Sequence, residues 1–229
     1  MSQIINSLDR TPTVANVVDD IRFKIISQEY RSGDPITEMA LAGEYGISRG
    51  SVRTALQTLE GEGVIVTLPN GRKQVLGLTE KYIQDLYHTR MIVECEAARQ
   101  ILARKSVNFT VMAAMVSEFR AMTDAPPDIM REERMRVNME FHRALLAMSE
   151  NRPLMQCWNT FDSMLGALIK FNADTILPEA HDDKYVLSHS KILEMFLAQD
   201  PEVVEYLEFH AYEAAYKDTL EGLKLKGCL

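Results

Sequence analysis

The stretch Gly46–Ile65 reads GISRGSVRTALQTLEGEGVI and predicts a short helix followed by a strand. Ser48 is a typical N-cap, because its hydroxyl can accept a hydrogen bond from a free N–H group of the first helical turn. Apolar residues then recur at helical spacing and predict one inward-facing side; they are Val52, Leu56 and Leu59. Gly61 and Gly63 are expected to end the helix before the strand-like run Val64–Val66.

The first turns of this helix combine two arginines with small residues: Arg49, Gly50, Ser51 and Arg53. An arginine binds phosphate through its charge, or guanine through two parallel hydrogen bonds. A short helix that begins in this way suits insertion into a DNA groove, so the pattern indicates DNA binding. A solvated helix face is the alternative interpretation.

The flanking elements place this helix in a recognisable order. Apolar spacing predicts a helix at Thr13–Glu29, a turn at Arg31–Pro35 and a second short helix that Thr37 caps and Gly46 ends. After the Gly46–Ile65 stretch, a hairpin is expected around Pro69–Asn70–Gly71, with Arg72 and Lys73 at its tip. Two helices joined by a glycine-containing turn form a helix-turn-helix, and the hairpin makes it a winged one.

Composition limits what the whole chain can be. The 229 residues are 46% hydrophobic, which is enough for a substantial core, and the formal net charge is −8. The polar start of the chain, and the lack of a run of about 18 apolar residues, predict neither a signal peptide nor a membrane span. Three cysteines without CxxC spacing fit a reducing cytoplasm, so we expect a cytoplasmic protein.

The negative charge is unevenly distributed. Residues 1–78 carry eight basic and nine acidic side chains, a net charge of −1, and the remaining residues carry −7. DNA affinity would therefore have to come from a local basic patch, used twice in a dimer.

After the short linker Gly77–Thr79 the chain reads as helical throughout. Candidate helices lie at about 79–104, 109–122, 129–149, 152–171, 182–199 and 201–223. Such helices predict an antiparallel bundle, which places a ligand site at its centre. We therefore expect a mainly α protein with two domains: a winged helix-turn-helix at 1–78 and an all-α helical bundle at 79–229.

Polar residues on the apolar stripes of this bundle are the informative ones. Asn138 and His142 are spaced i, i+4 and share a helix face, and His189 and His210 lie on the apolar faces of two later helices. A single inward histidine is more often a hydrogen-bonded core residue. Three on facing stripes favour a shared metal, because neutral imidazole is the commonest metal ligand.

Two segments of the sequence are similar to a known family. The run SGDPITEMALAGEYGISRGSVRTALQTLEGEGVIVTLPNGR resembles the GntR family of bacterial transcription regulators. The resemblance implies DNA contacts from Arg49, Gly50, Ser51 and Arg53 on the recognition helix, and from Asn70, Gly71 and Arg72 on the wing. Gly50, Thr54 and Met39 depart from the family's usual Thr, acidic residue and Arg, which bears on the DNA sequence preferred.

The segments NMEFHRALLAMSENRPL and SHSKILEMFLAQDPEVVEYLEFH resemble the FCD-type effector domain of the FadR-like branch. That resemblance implies a divalent-metal site made by Asn138, His142, His189 and His210. Asn138 replaces the family's aspartate, a stronger ligand. The His189–His210 segment is one residue shorter than the family pattern, and we place the deletion in the Asp200–Pro201 loop, because a slip within the helix would rotate His210 by about 100°.

Arg90 lies on the inward stripe of the first bundle helix and matches the family's "R...E". It is either an anchor for an effector carboxylate or a buried i, i+4 partner of Glu94. His88 and His181 lie off these patterns and are expected at the surface.

Together these features predict a ligand-responsive transcription repressor and no enzyme. We expect a homodimer on palindromic operator DNA, a small carboxylate effector, and a divalent metal, with zinc first and nickel or another transition metal as alternatives. A second version of this regulator has a metal-free organic pocket. A metal-dependent hydrolase is disfavoured because HExxH is absent and Glu140, two residues before His142, faces away.

Overall fold

The computed structural model describes residues 12–122, 127–176 and 182–229. The chain forms two compact units, with the boundary between Leu78 and Thr79. Among the described helices, none has the length and apolar character needed to cross a membrane.

Over residues 12–78, the first unit contains three helices and a small sheet: α1 (Val14–Ile26), β1 (Pro35–Ile36), α2 (Glu38–Tyr45), α3 (Arg49–Gly61), β2 (Ile65–Thr67) and β3 (Lys73–Val75). Strand β3 lies between β1 and β2 and is antiparallel to both. The core forms where α1 packs on α3, through fully buried residues such as Ile21, Ile25 and Leu56. This packing leaves the opposite side of α3 exposed.

The predicted helix caps are confirmed. The hydroxyl of Ser48 accepts from the Ser51 N–H at 3.1 Å, and that of Thr37 accepts from the Ala40 N–H at 3.2 Å. Gly46 ends α2 with φ of 65°, a conformation that glycine adopts without steric cost. Three boundaries differ from the prediction: α1 ends at Ile26, before Gln28 turns to a positive φ of 62°, the end of the expected turn joins the sheet as β1, and the strand after α3 is Ile65–Thr67 instead of Val64–Val66.

The second unit is helical over its described residues. Its elements are α4 (Glu80–Leu102), α5 (Thr110–Ala121), α6 (Pro127–Met148), α7 (Arg152–Ile176), α8 (Asp182–Leu197), α9 (Val203–Glu208), a π-helix (Phe209–Ala214) and α10 (Ala215–Leu225). The single helix predicted at 201–223 is thus wrong in one respect, because a π-helical segment divides it. The core of the second unit is apolar and aromatic, with Phe119, Phe141 and Phe196 nearly or fully buried.

Candidate nucleic-acid interface and metal centre

The exposed side of α3 carries the residues predicted to contact DNA. Arg49, Gly50 and Arg53 are exposed and Ser51 is half-buried, while Val52 on the other side is fully buried. The helix therefore presents its basic first turns to solvent.

The two arginines of α3 differ in their surroundings. Arg53 donates from Nε and Nη2 to the two carboxylate oxygens of Glu38 on α2, at 2.7 and 2.8 Å. Within the described residues, the side chain of Arg49 makes no hydrogen bond or ion pair.

The predicted wing is a tight exposed turn between β2 and β3. Asn70, Gly71 and Arg72 are all exposed, and Gly71 has φ of 79°. The Asn70 side chain accepts from the Arg72 N–H at 3.0 Å. Glu60 of α3 binds the wing, because it accepts from the Thr67 N–H at 2.8 Å and from Lys73 Nζ at 2.6 Å. The recognition helix and the wing are therefore tied together.

The second unit brings the three predicted histidines into one cluster. His142 of α6, His189 of α8 and His210 of the π-helix have potential ligand atoms that all lie within 4.8 Å of one another. Their ring centroids are 4.9 to 5.4 Å apart. His142 and His189 are fully buried, and His210 is partly exposed. No other cluster of this kind occurs among the described histidines, cysteines and acidic residues.

A buried relay fixes the protonation of His142. Arg90 Nε donates to Glu94 Oε1 at 2.7 Å, and Glu94 Oε2 lies 3.0 Å from His142 Nδ1. Burial alone would raise the pKa of Glu94, but the positive charge of Arg90 and the hydrogen bonds from Arg90 and His142 outweigh it and lower that pKa to about 2. The carboxylate is then only an acceptor, so Nδ1 carries the proton.

His142 is therefore prepared as a metal ligand. Burial lowers its pKa, against the attraction of Glu94, so the ring is neutral with its lone pair on Nε2. That buried atom has no hydrogen-bond partner among the described residues, an arrangement that costs free energy unless something binds there. A metal-ligating histidine commonly donates its other N–H to a carboxylate in this way. The residues present fit a divalent cation.

Aromatic rings enclose the histidine cluster. His189 lies between Phe119 and Phe141, with centroids at 4.8 and 4.7 Å, and the indole of Trp158 lies 6.4 Å from the His142 ring. This apolar shell limits the access of water to the cluster.

A cavity of about 940 Å³ opens beside the cluster. Asn138, His210 and Arg90 line it, together with Tyr87 and Thr219, whose hydroxyls share a hydrogen bond of 2.6 Å. The buried i, i+4 pair predicted for Arg90 is present, because its Nε donates to Glu94. Arg90 also lines the cavity, and its role as a carboxylate anchor stays a prediction. Asn138 is buried and lies one helical turn before His142.

Sequence reasoning missed one residue, Glu94, as the carboxylate that orients His142. A signal was available, because Arg90 and Glu94 are two charged residues on an otherwise apolar stripe. Glu140, which the hydrolase alternative would need, pairs with Arg136 at 2.7 Å. His88 is exposed as predicted, and His181 lies outside the described residues.

The fold, a winged helix-turn-helix followed by a helical domain, is that of a class of bacterial DNA-binding transcription regulators. Residues 13–75 match the family described as bacterial regulatory proteins, gntR family, and residues 85–208 match the FCD domain. The chain belongs to the GntR family of transcription regulators, with an FCD domain. The matching families and relatives are regulators, not enzymes.

Similar proteins include proteins named as repressors of gluconate and D-xylose utilization operons. The chain is 28% identical over 211 residues to a probable D-xylose utilization operon transcriptional repressor of Paenarthrobacter nicotinovorans, covering 91% of this chain and 89% of that protein. It is 27% identical over 177 residues to the gluconate operon transcriptional repressor of Bacillus licheniformis, covering 77% and 71%.

Solved structures share the fold. Lar, which controls expression of the Listeria monocytogenes agr system, aligns with a TM-score of 0.70 and 15% identity over 93% of this chain and 99% of its own. E. coli McbR/YncC aligns with a TM-score of 0.62 and 17% identity, over 95% of this chain and 100% of its own.

Proposed function

We propose that this regulator is a metal-dependent repressor that releases or holds its operator according to a small carboxylate metabolite. The observation that carries the proposal is the convergence of His142, His189 and His210 beside a cavity, with Nε2 of His142 buried and prepared as a ligand. Two relatives are named as repressors of gluconate and D-xylose operons, which supports an effector that is an organic acid or is derived from a sugar.

The first unit is the DNA-binding domain in this proposal. Arg49, Gly50, Ser51 and Arg53 enter the major groove, and Asn70, Gly71 and Arg72 of the wing approach the minor groove or the backbone. The unit has a net charge of −1, so one copy supplies little general attraction to DNA. Two copies in a homodimer, spaced about one helical turn apart on a palindrome, provide the affinity.

The second unit, 79–229, is the sensor and dimerisation domain. His142, His189 and His210 would hold the cation, with the amide oxygen of Asn138 as a fourth, weaker ligand. Three imidazoles suit zinc first, and nickel or another transition metal next. When bound, the cation supplies a positive centre that a carboxylate oxygen can coordinate.

Arg90 is the effector anchor in this scheme. Glu94 engages only its Nε, which leaves the terminal amino groups of the guanidinium to bind a carboxylate in the cavity. The same Glu94 orients His142, so the effector anchor and the metal ligand share one carboxylate. An effector regulates DNA binding only if it binds the two states of the dimer with different affinity.

A metal-free organic pocket is the second candidate. Asn138 favours it, because a neutral amide replaces the carboxylate ligand expected there. In that version the cavity binds the effector through Arg90 and hydroxyl groups alone, and chelators have no effect on the response.

Operator selection from random DNA, with and without added zinc and a library of organic and sugar acids, tests the proposal. Arg49→Ala and Arg53→Ala should each weaken binding to the selected operator by about 1–3 kcal/mol while the circular dichroism spectrum stays unchanged. Arg31→Ala is the matched control, because Arg31 is an exposed arginine of the same unit that does not belong to α3. Unchanged operator affinity in both α3 variants would refute the assignment of the DNA contacts.

A further inference from the structure

The ion pair between Arg53 and Glu38 links the two helices of the helix-turn-helix. Glu38 is the first residue of α2, and Arg53 lies in the second turn of α3. Both carboxylate oxygens are used, at 2.7 and 2.8 Å, although the arginine side chain is 58% exposed. Most exposed ion pairs are single, flexible contacts, so a two-point contact at this place is informative.

The chemistry of the guanidinium decides what this contact leaves available. Arginine has five N–H donors in a planar fork, and Glu38 occupies the edge formed by Nε and Nη2. Both N–H groups of Nη1 and one of Nη2 remain. One N–H from each of these two nitrogens forms the adjacent terminal edge. That edge still offers two parallel donors, which is what guanine O6 and N7 accept. Glu38 therefore occupies one edge of Arg53 and leaves an intact recognition edge.

Two opposing effects of Glu38 on DNA binding follow from this geometry. An arginine that is already held loses less side-chain freedom when it meets a base, which favours binding. The carboxylate also places a negative charge beside the DNA, which opposes binding to any sequence. The hydrogen bond from Arg53 lowers the pKa of Glu38, so this charge is present at neutral pH.

We propose that Glu38 is a positioning residue for sequence recognition, which holds the free edge of Arg53 in place for one base and raises specificity at some expense of general affinity. This rests on the proposed contact of Arg53 with the operator. Arg49 makes no hydrogen bond or ion pair within the described part of the chain and interacts with Glu38 only through charge, so its side chain can adapt to phosphate.

The test measures dissociation constants by fluorescence anisotropy, for the selected operator and for a scrambled duplex of equal length at the same salt concentration. Glu38→Gln should weaken operator binding about 3- to 10-fold, the range expected when one side chain loses its preorganisation. Binding to the scrambled duplex should stay constant or become tighter, because a negative charge is lost. The ratio of the two affinities should therefore fall.

Glu44→Gln is the matched control. Glu44 lies on the same helix and forms an ion pair with Lys24 of α1 instead of an α3 arginine, so the ratio should not change. If Glu38→Gln increased the affinity for both duplexes by the same factor, Glu38 would act only as a repulsive charge, and the inference would be overturned.

A double-mutant cycle separates positioning from a general structural effect. Once Arg53→Ala has removed the arginine, Glu38→Gln should no longer weaken operator binding. An equal loss in both backgrounds would overturn the positioning role. If Arg53→Ala alone leaves operator affinity unchanged, the proposed DNA contact itself fails.

Discussion

Replacing Glu94 with glutamine should disable the proposed metal site without changing any of its proposed ligands. The carboxylate accepts from Arg90 through one oxygen and from His142 Nδ1 through the other, at 2.7 and 3.0 Å. A glutamine amide offers one acceptor and one donor group in the same place. Because Arg90 Nε can only donate, the amide oxygen turns toward Arg90 and the NH₂ group faces His142.

The imidazole must then change its tautomer. Nδ1 becomes the acceptor of the amide N–H, and the proton moves to Nε2, the atom that faces the histidine cluster. Loss of an orienting partner of this kind typically lowers metal affinity about 10- to 100-fold, which is about 1.4 to 2.7 kcal/mol. Removing the carboxylate also leaves the Arg90 charge buried without its counter-ion, so stability falls by up to about 3–5 kcal/mol.

Competition titration with a chromophoric zinc chelator measures the first effect, and thermal unfolding with and without chelator measures the second. Glu96→Gln, on the same helix but paired with Arg99 and Gln100 outside the site, should leave zinc affinity unchanged. A folded Glu94→Gln protein with wild-type zinc affinity would refute the relay as the device that prepares His142.

Two further outcomes follow from the second unit. In chelator-treated protein, the free energy of unfolding should fall as pH drops from 7 toward 5.5, because burial lowers the pKa of His142 in the folded chain and the unfolded chain therefore binds more protons at this residue; His142→Asn should flatten this slope in thermal melts. Gly222→Ala should lower the free energy of unfolding by about 1–3 kcal/mol, because the added Cβ would lie 2.7 Å from Oδ1 of the buried Asn172. Gly166→Ala is the control: its Cβ would lie 3.8 Å from Met139, so it should raise the free energy of unfolding by up to about 1 kcal/mol through helix propensity. If chemical denaturation gave the Gly222→Ala and Gly166→Ala proteins the same stability, the close packing of α7 on α10 would be contradicted.

Local chemistry made the first unit predictable. The caps at Thr37 and Ser48 and the turn at Gly46 depend on residues within a few positions of one another, so the sequence displays them directly. Strand β1 was missed because it is only Pro35–Ile36, and its hydrogen bonds depend on β3, nearly forty residues away. Pairing at that distance has no local signal.

The histidine cluster was predictable, because side chains on the inward faces of several helices in one bundle meet at the centre of that bundle. The contact between Glu94 and His142 was not, since it joins α4 to α6 and depends on how the two helices pack. The π-helix that carries His210 was also missed, because a 3.6-residue period cannot anticipate one widened turn. Such turns often occur at functional sites. The deletion assigned to the Asp200–Pro201 loop stays a prediction.

The domain roles and the individual DNA and metal contacts also stay predictions. What the fold contributes is their arrangement. Arg49 and Arg53 are exposed on one helix face, while the three histidines come from two helices and a π-helix. The sequence alone could name these residues, but only the structure brings Arg90, Glu94 and His142 into one hydrogen-bonded chain.

The most direct test of the central claim is the metal content of untagged protein, measured by elemental analysis after dialysis against zinc and then against metal-free buffer. We predict one zinc ion per chain for the wild type and a near-complete loss in a variant with His142, His189 and His210 all changed to alanine, provided that it folds. If zinc, nickel and all other transition metals together amounted to well below one ion per wild-type chain, the metal-dependent account would be contradicted and the metal-free pocket favoured.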